Sequence, residues 1–189
     1  ESKQGQQIAN NLGLGDATEA QICLNCHTTN VSATKRTDRF RAAEGVSCEG
    51  CHGPGSLWLS SHTDRTVSKN ELEEQGLYDT SSFNKKAKLC LSCHLGDQNQ
   101  KITHKIMAAG HPRLAFELVT FTDAQPRHYD IDEDYLARKN PYRPIKEWAL
   151  GQTQYGYQFL DLLAESNKSG DLLFPELSVY VKPSSSPLN

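Results

Sequence analysis

The chain is short of several things that most globular proteins of 189 residues have. Only 37% of its residues are hydrophobic and mean hydropathy is −0.63, which is sparse for a self-sufficient core. No stretch of 18 apolar residues occurs, so nothing reads as a membrane span. Charge of one sign is missing too: 20 Lys and Arg stand against 23 Asp and Glu, a net charge of −3. No basic run supports nucleic acid as a partner. Methionine occurs once, and alternation of strand type is so rare that strand content should be minimal. No cysteine is left over, because all six fall into pairs of one kind.

Those pairs are the strongest signal present. Cys23-Leu24-Asn25-Cys26-His27, Cys48-Glu49-Gly50-Cys51-His52 and Cys90-Leu91-Ser92-Cys93-His94 repeat one five-residue unit. Cys-x-x-Cys alone also serves zinc knuckles and redox disulfides. Here a histidine follows the second cysteine three times out of three. With 7 His in 189 residues, three such coincidences have a probability below about one in ten thousand. Zinc does not require histidine at that position, whereas attachment of a c-type haem does. Two thiols add across the vinyl groups of one porphyrin, and the adjacent histidine lies under the iron as the proximal ligand. The reading is three molecules of haem c, one for each 63 residues (189/3). Porphyrin then supplies the missing apolar surface, and the apo-chain is expected not to fold stably. Two propionates and one net positive centre add about −1 per ferric haem, so the assembled protein is more acidic than its sequence.

Along the chain, residues 1–15 carry Ile8, Leu12 and Leu14 at helical spacing. Asp16 and Thr18 read as N-caps of a short helix bearing the first unit. Residues 28–45 read as a solvated polar loop. Ser56 reads as the cap of a turn through Leu57, Trp58, Leu59 and His62, followed by a surface excursion with one weak helix near Glu71–Gln75. Lys85–Leu95 is a helix bearing the third unit, stopped by Gly96. His104 and His111 lie two turns apart, but Gly110 and Pro112 argue against continuous helix. Pro112 reads as the first position of a helix over Arg113–Phe121. After an irregular connection, Ile145, Trp148, Ala149, Gln152, Tyr155, Phe159 and Leu163 recur at threes and fours. They predict the strongest amphipathic helix of the chain, about 20 residues long and ended at Gly170, with its aromatics packed on haem faces or other helices. The fold expected is mainly α and haem-nucleated, with short helices, a long C-terminal helix and extensive loops. Residues 1–121 form the trihaem region, and residues 122–189 form a linker, helix and tail packed on the same domain.

Each iron needs a second axial ligand or keeps an open position. The free candidates are His62, His104, His111, His128 and Met107. The first three lie near the attachment units, among apolar residues. His128 lies in a polar stretch and is the expected spare, and Met107, beside two alanines, reads as packing. Bis-histidine iron is low-spin, has no room for substrate and has a lower potential than iron with Met/His ligation. That combination moves electrons without transforming a bound molecule.

Three segments resemble the cytochrome c554 group of multihaem cytochromes, relatives of hydroxylamine oxidoreductases and pentahaem nitrite reductases. The first is Gly45-Val46-Ser47-Cys48 through His52-Gly53-Pro54-Gly55, with His62 downstream. The second is Leu89-Cys90 through Cys93-His94-Leu95-Gly96. The third is Thr103-His104-Lys105-Ile106-Met107-Ala108-Ala109-Gly110-His111-Pro112-Arg113-Leu114. Together they cover roughly residues 20–121. The resemblance implies a mostly helical fold with haems in close pairs. It also implies His62, His104 and His111 as distal ligands, often to haems distant in sequence. Relatives commonly carry a further attachment unit upstream that this chain does not have. It is therefore a trihaem form or a longer member lacking its N-terminal haem.

The function expected is electron transfer with redox proteins as partners, and further copies of the chain or a larger cytochrome complex as alternatives. An enzyme of the nitrite reductase or hydroxylamine oxidoreductase type, with one open haem, is the competing class; no Cys-x-x-Cys-Lys unit is present. Haem c is attached outside the cytoplasmic membrane. A periplasmic or extracellular location is expected, with the chain from Glu1 a mature form whose export signal has been removed.

Overall fold

The computed structural model of the chain describes residues 2–123 and 144–169. Among these the structure is helical with long connections and no sheet; the one strand-like pairing is an isolated antiparallel bridge between Gly96 and Lys101.

Helix α1 (Lys3–Asn11) begins where the Ser2 hydroxyl accepts the Gly5 N–H, and it buries Ile8 and Ala9. Helix α2 (Gln21–His27) carries the first attachment unit. Its expected caps act one step earlier. Asp16 accepts the N–H and hydroxyl of Thr18, both at 2.7 Å, and so closes the preceding turn. The N-cap of α2 is Ala20, which has no side chain to offer. Helix α3 (Cys48–His52) carries the second unit. Helix α4 (Lys69–Glu74) is the weak helix expected, held by a reciprocal capping box between Ser68 and Glu71. Helix α5 (Phe83–His94) carries the third unit and stops at Gly96, whose φ is +109°. A Cβ there would stand 2.8 Å from the Gln100 carbonyl oxygen, so only glycine fits the turn.

Helix α6 (His104–Ala108) is capped by Thr103 and broken by Gly110, as the sequence led one to expect. The next helix differs from expectation. Residues 111–117 are non-helical, and α7 spans Leu118–Asp123. The cause is Glu117, whose carboxylate accepts the N–H groups of Val119 and Thr120 at 3.0 and 2.8 Å. That cap starts the helix beyond Pro112 and leaves Phe116 on an extended segment.

Helix α8 (Pro144–Ser169) is the long C-terminal helix. It packs along α5 and α7. Of the stripe read in the sequence, Leu163 is buried and Tyr155 and Phe159 are half-buried. Glu147, Gly151, Gln158, Leu162 and Leu163 are buried, while Ile145 is 83% and Trp148 51% exposed, with Ala149 and Gln152 also outside. Of the two polar residues inside, Gln158 is hydrogen-bonded and Glu147 has only a longer ion pair. Gln158 Nε2 donates to the Gly96 carbonyl at 2.7 Å, and Glu147 lies 3.6 Å from Lys86 Nζ. Gly151 lets α7 approach, since a Cβ there would touch Leu118 at 3.2 Å.

The described apolar core is thin. Ala87, Leu91, Leu118, Leu162 and Leu163 form one buried set around α5, α7 and α8. Ile8 and Ala9 of α1 are buried with Ile106 and Ala109 of α6, and Asn11 Nδ2 donates across to the Ala109 carbonyl at 2.9 Å.

Candidate haem-attachment site

Each attachment unit occupies the last turn of a helix, and each helix ends at the unit's histidine: His27 on α2, His52 on α3 and His94 on α5. Residues at i, i+3 and i+4 of a helix share one face, so both cysteines and the histidine of a unit project to the same side. A planar ligand bridging two thiols over an imidazole requires that disposition.

The three units converge. Cys26 hydrogen-bonds to Cys93, and Cys51 lies near both Cys93 and Cys90. The proton between the first pair stays on Cys26. Its donated hydrogen bond, followed by those from the Ser92 hydroxyl and the Gln100 amide, holds Cys93 well below the usual thiol range despite burial. Gln100 Nε2 lies 3.3 Å from Cys93 Sγ and donates to the Ser92 carbonyl at 3.0 Å. Burial pushes the Cys90 thiol up to about 11.

Thr29 joins the first unit to the second. It is buried, its N–H donates to the Gly45 carbonyl at 2.9 Å, and its hydroxyl accepts the Ser47 N–H at 2.7 Å and meets the Ser47 hydroxyl at 2.8 Å. This crossing explains the glycine inside the second unit: a Cβ on Gly50 would stand 2.9 Å from Thr29 Oγ1. Gly53, just after His52, has φ +78° and ψ 174°, and its missing Cβ would lie 2.3 Å from the Gly76 carbonyl oxygen. The Tyr78 N–H closes this contact by donating to the His52 carbonyl at 2.8 Å.

The histidines are arranged unequally. The rings of His27 and His111 meet edge-on, with centroids 6.3 Å apart and planes inclined by 63°. An iron with a ring nitrogen at about 2 Å on each side, and each ring centre about 1 Å further out, separates two imidazole centres by about 6 Å. The centroid spacing of the pair matches that separation. His111 Nδ1–H donates to the Pro112 carbonyl at 2.8 Å, the tautomer that leaves Nε2 as the ligating atom. Desolvation first, and then the nearby His111, hold His27 below the ordinary imidazole value, which keeps it neutral as a ligand must be. His62 has the same orientation device, its Nδ1 bonded to the Leu59 carbonyl at 2.5 Å, and Trp58 meets its ring edge-on at 5.8 Å. His94 is stacked by Phe116. His104 is the first residue of α6. Met107 is half-buried on the same helix. His128 lies outside the described residues, as do its neighbours Arg127 and Tyr129.

Sequence reasoning missed Phe116, Gln100 and Thr29. Phe116 was hidden by the helix read across it. Gln100 and Thr29 act through contacts that no local spacing announces. Among the described residues no three His, Cys, Asp or Glu side chains are grouped as a cage for a metal ion.

Residues 1–53 match the family described as cytochrome c554 and c-prime. The matched stretch includes the first two attachment units in full, and over it the chain is cytochrome c554-like. No curated protein matches the chain, and no solved structure does.

Proposed function

We propose that this chain is a c-type cytochrome with three covalent haems that passes electrons between redox proteins. The observation that carries the reading is the His27–His111 pair, spaced at 6.3 Å for two axial ligands on one iron. Bound haem would supply the one-electron couple. The protein supplies the rest: Cys23 and Cys26, Cys48 and Cys51, and Cys90 and Cys93 tether the three groups, and His27, His52 and His94 ligate from the proximal side. His111 closes the distal side of the first site. His62 and His104 serve the remaining two. Pro112 and Leu59 fix the imidazoles of His111 and His62 by accepting their Nδ1–H protons. With the sixth positions filled, no substrate enters, and transfer is outer-sphere. Convergence of the three units keeps the groups near each other, which favours fast exchange among them. Attachment of haem c outside the cytoplasmic membrane gives a periplasmic or extracellular setting, and among the described residues no helix is long and apolar enough to cross a membrane.

The test is paramagnetic resonance and carbon monoxide binding on His111→Ala. One iron of three should become high-spin and bind carbon monoxide, and that signal should vanish when Cys23→Ala and Cys26→Ala are added. An all-low-spin His111→Ala protein overturns the assignment. Carbon monoxide binding by the unaltered protein would favour an open haem and an enzyme.

A further inference from the structure

The segment between the first two attachment units is closed at its base and positive at its tip. Thr29 ties its start to Gly45 and Ser47, so the loop emerges two residues after His27 and returns one residue before Cys48. At the tip, residues 35–41 hold four cations, Lys35, Arg36, Arg39 and Arg41, against one acid, Asp38, a charge of +3. The whole chain carries −3, so everything outside this loop sums to −6, before any propionate is counted. All four cations are exposed, and none has a carboxylate partner among the described residues. Two are held in place by their own loop. The Arg36 guanidinium lies over the Phe40 ring at 4.5 Å, and its Nε donates to the Val31 carbonyl at 2.9 Å. Arg41 Nη1 donates to the carbonyls of Asp38 and Phe40 at 2.6 and 2.8 Å. Lys35 and Arg39 complete the patch.

We infer that this loop is the docking surface for an acidic redox protein that exchanges electrons at the first two attachment units. The inference rests on the electron-transfer function proposed above. Outer-sphere transfer demands close approach to a haem edge, and this loop is anchored between two of them. On a molecule whose remaining charge sums to an acidic value, a preorganised positive loop steers an acidic partner to that edge. Such steering changes association rates by about 10- to 1000-fold and fades with salt. The reaction is one electron leaving the partner's reduced centre and one ferric iron becoming ferrous, with no bond made or broken.

The experiment measures reduction of the ferric holoprotein by a reduced plant-type ferredoxin, an acidic one-electron donor, in stopped flow over a range of salt. Lys35→Glu with Arg39→Glu should slow the reaction at least tenfold at low salt, with the difference gone at high salt. The rate with a cationic oxidant, hexaammineruthenium(III), acting on the reduced protein should be unchanged or rise. Equal ferredoxin rates in parent and variant overturn the docking surface, and so does an equal loss with both probes. If neither protein is reduced even by dithionite, it is the electron-transfer function that fails. Salt-sensitive binding to phosphatidylglycerol vesicles that is lost in the variant, with ferredoxin rates unchanged, would assign the loop to a lipid surface and overturn the redox-protein reading.

Discussion

The ring of Phe116 lies almost flat on the ring of His94, with centres 4.6 Å apart and planes inclined by 19°. Phe121 meets the same imidazole edge-on at 5.7 Å. If His94 serves as the proximal ligand proposed above, this clamp orients its ring for any group attached at Cys90 and Cys93. Phe116→Ala should therefore alter the resonance signal of one low-spin iron and leave the others in place. The lost stack is worth about 0.5–1.5 kcal/mol, so the melting temperature should fall modestly. An unchanged spectrum would show that the clamp does not hold the ligand.

Gly53→Ala should be among the most damaging single substitutions. It places a Cβ 2.3 Å from the Gly76 carbonyl oxygen and forces a φ of +78° on an L-residue. Strain and overpacking together cost upwards of about 2 kcal/mol. Denaturant unfolding should report that loss, with haem content at the second unit reduced. A midpoint equal to the parent's contradicts the close approach.

Glu147 makes stability depend on pH. Burial raises its carboxyl above the ordinary value, with Lys86 opposing. A raised folded-state value means that its stabilising contribution is complete below the unfolded value and lost as pH rises through the folded one. The parent should thus lose stability over the range just above the ordinary carboxylate value of 4.5, and Glu147→Gln should flatten that slope. Unfolding midpoints across a pH series decide it, and identical slopes exclude Glu147 as the source.

Intact mass after denaturation should exceed the polypeptide by three haems. His128→Ala should leave all irons low-spin. A mass equal to the bare chain, or one iron turned high-spin in that variant, contradicts the ligand set.

Much of this was legible in the sequence where chemistry is local. The attachment units, the stop of α5 at Gly96 and the break of α6 at Gly110 each follow from residues within a few positions. The errors arose where a distant or stronger partner intervened. Pro112 suits a helix start, but the Glu117 carboxylate caps better and moves α7 to Leu118. The burial of Glu147 and Gln158 on α8 was not legible, because their partners, Lys86 and the Gly96 carbonyl, are distant in sequence. The meeting of His27 and His111 joins residues 84 positions apart, and no spacing rule reaches that far.

The position of His27, His52 and His94, each the final residue of its helix, has an electrical consequence. The carbonyl ends of three helices carry partial negative charge, and each lies beside a proximal imidazole. A positive centre there is favoured over a neutral one by about 0.3–1 kcal/mol, on the order of 10–40 mV for one electron. The bias has the same sign at all three sites. With three haems held as proposed, the backbone itself would favour the oxidised form at each of them, a downward pull on reduction potential set by where each helix stops.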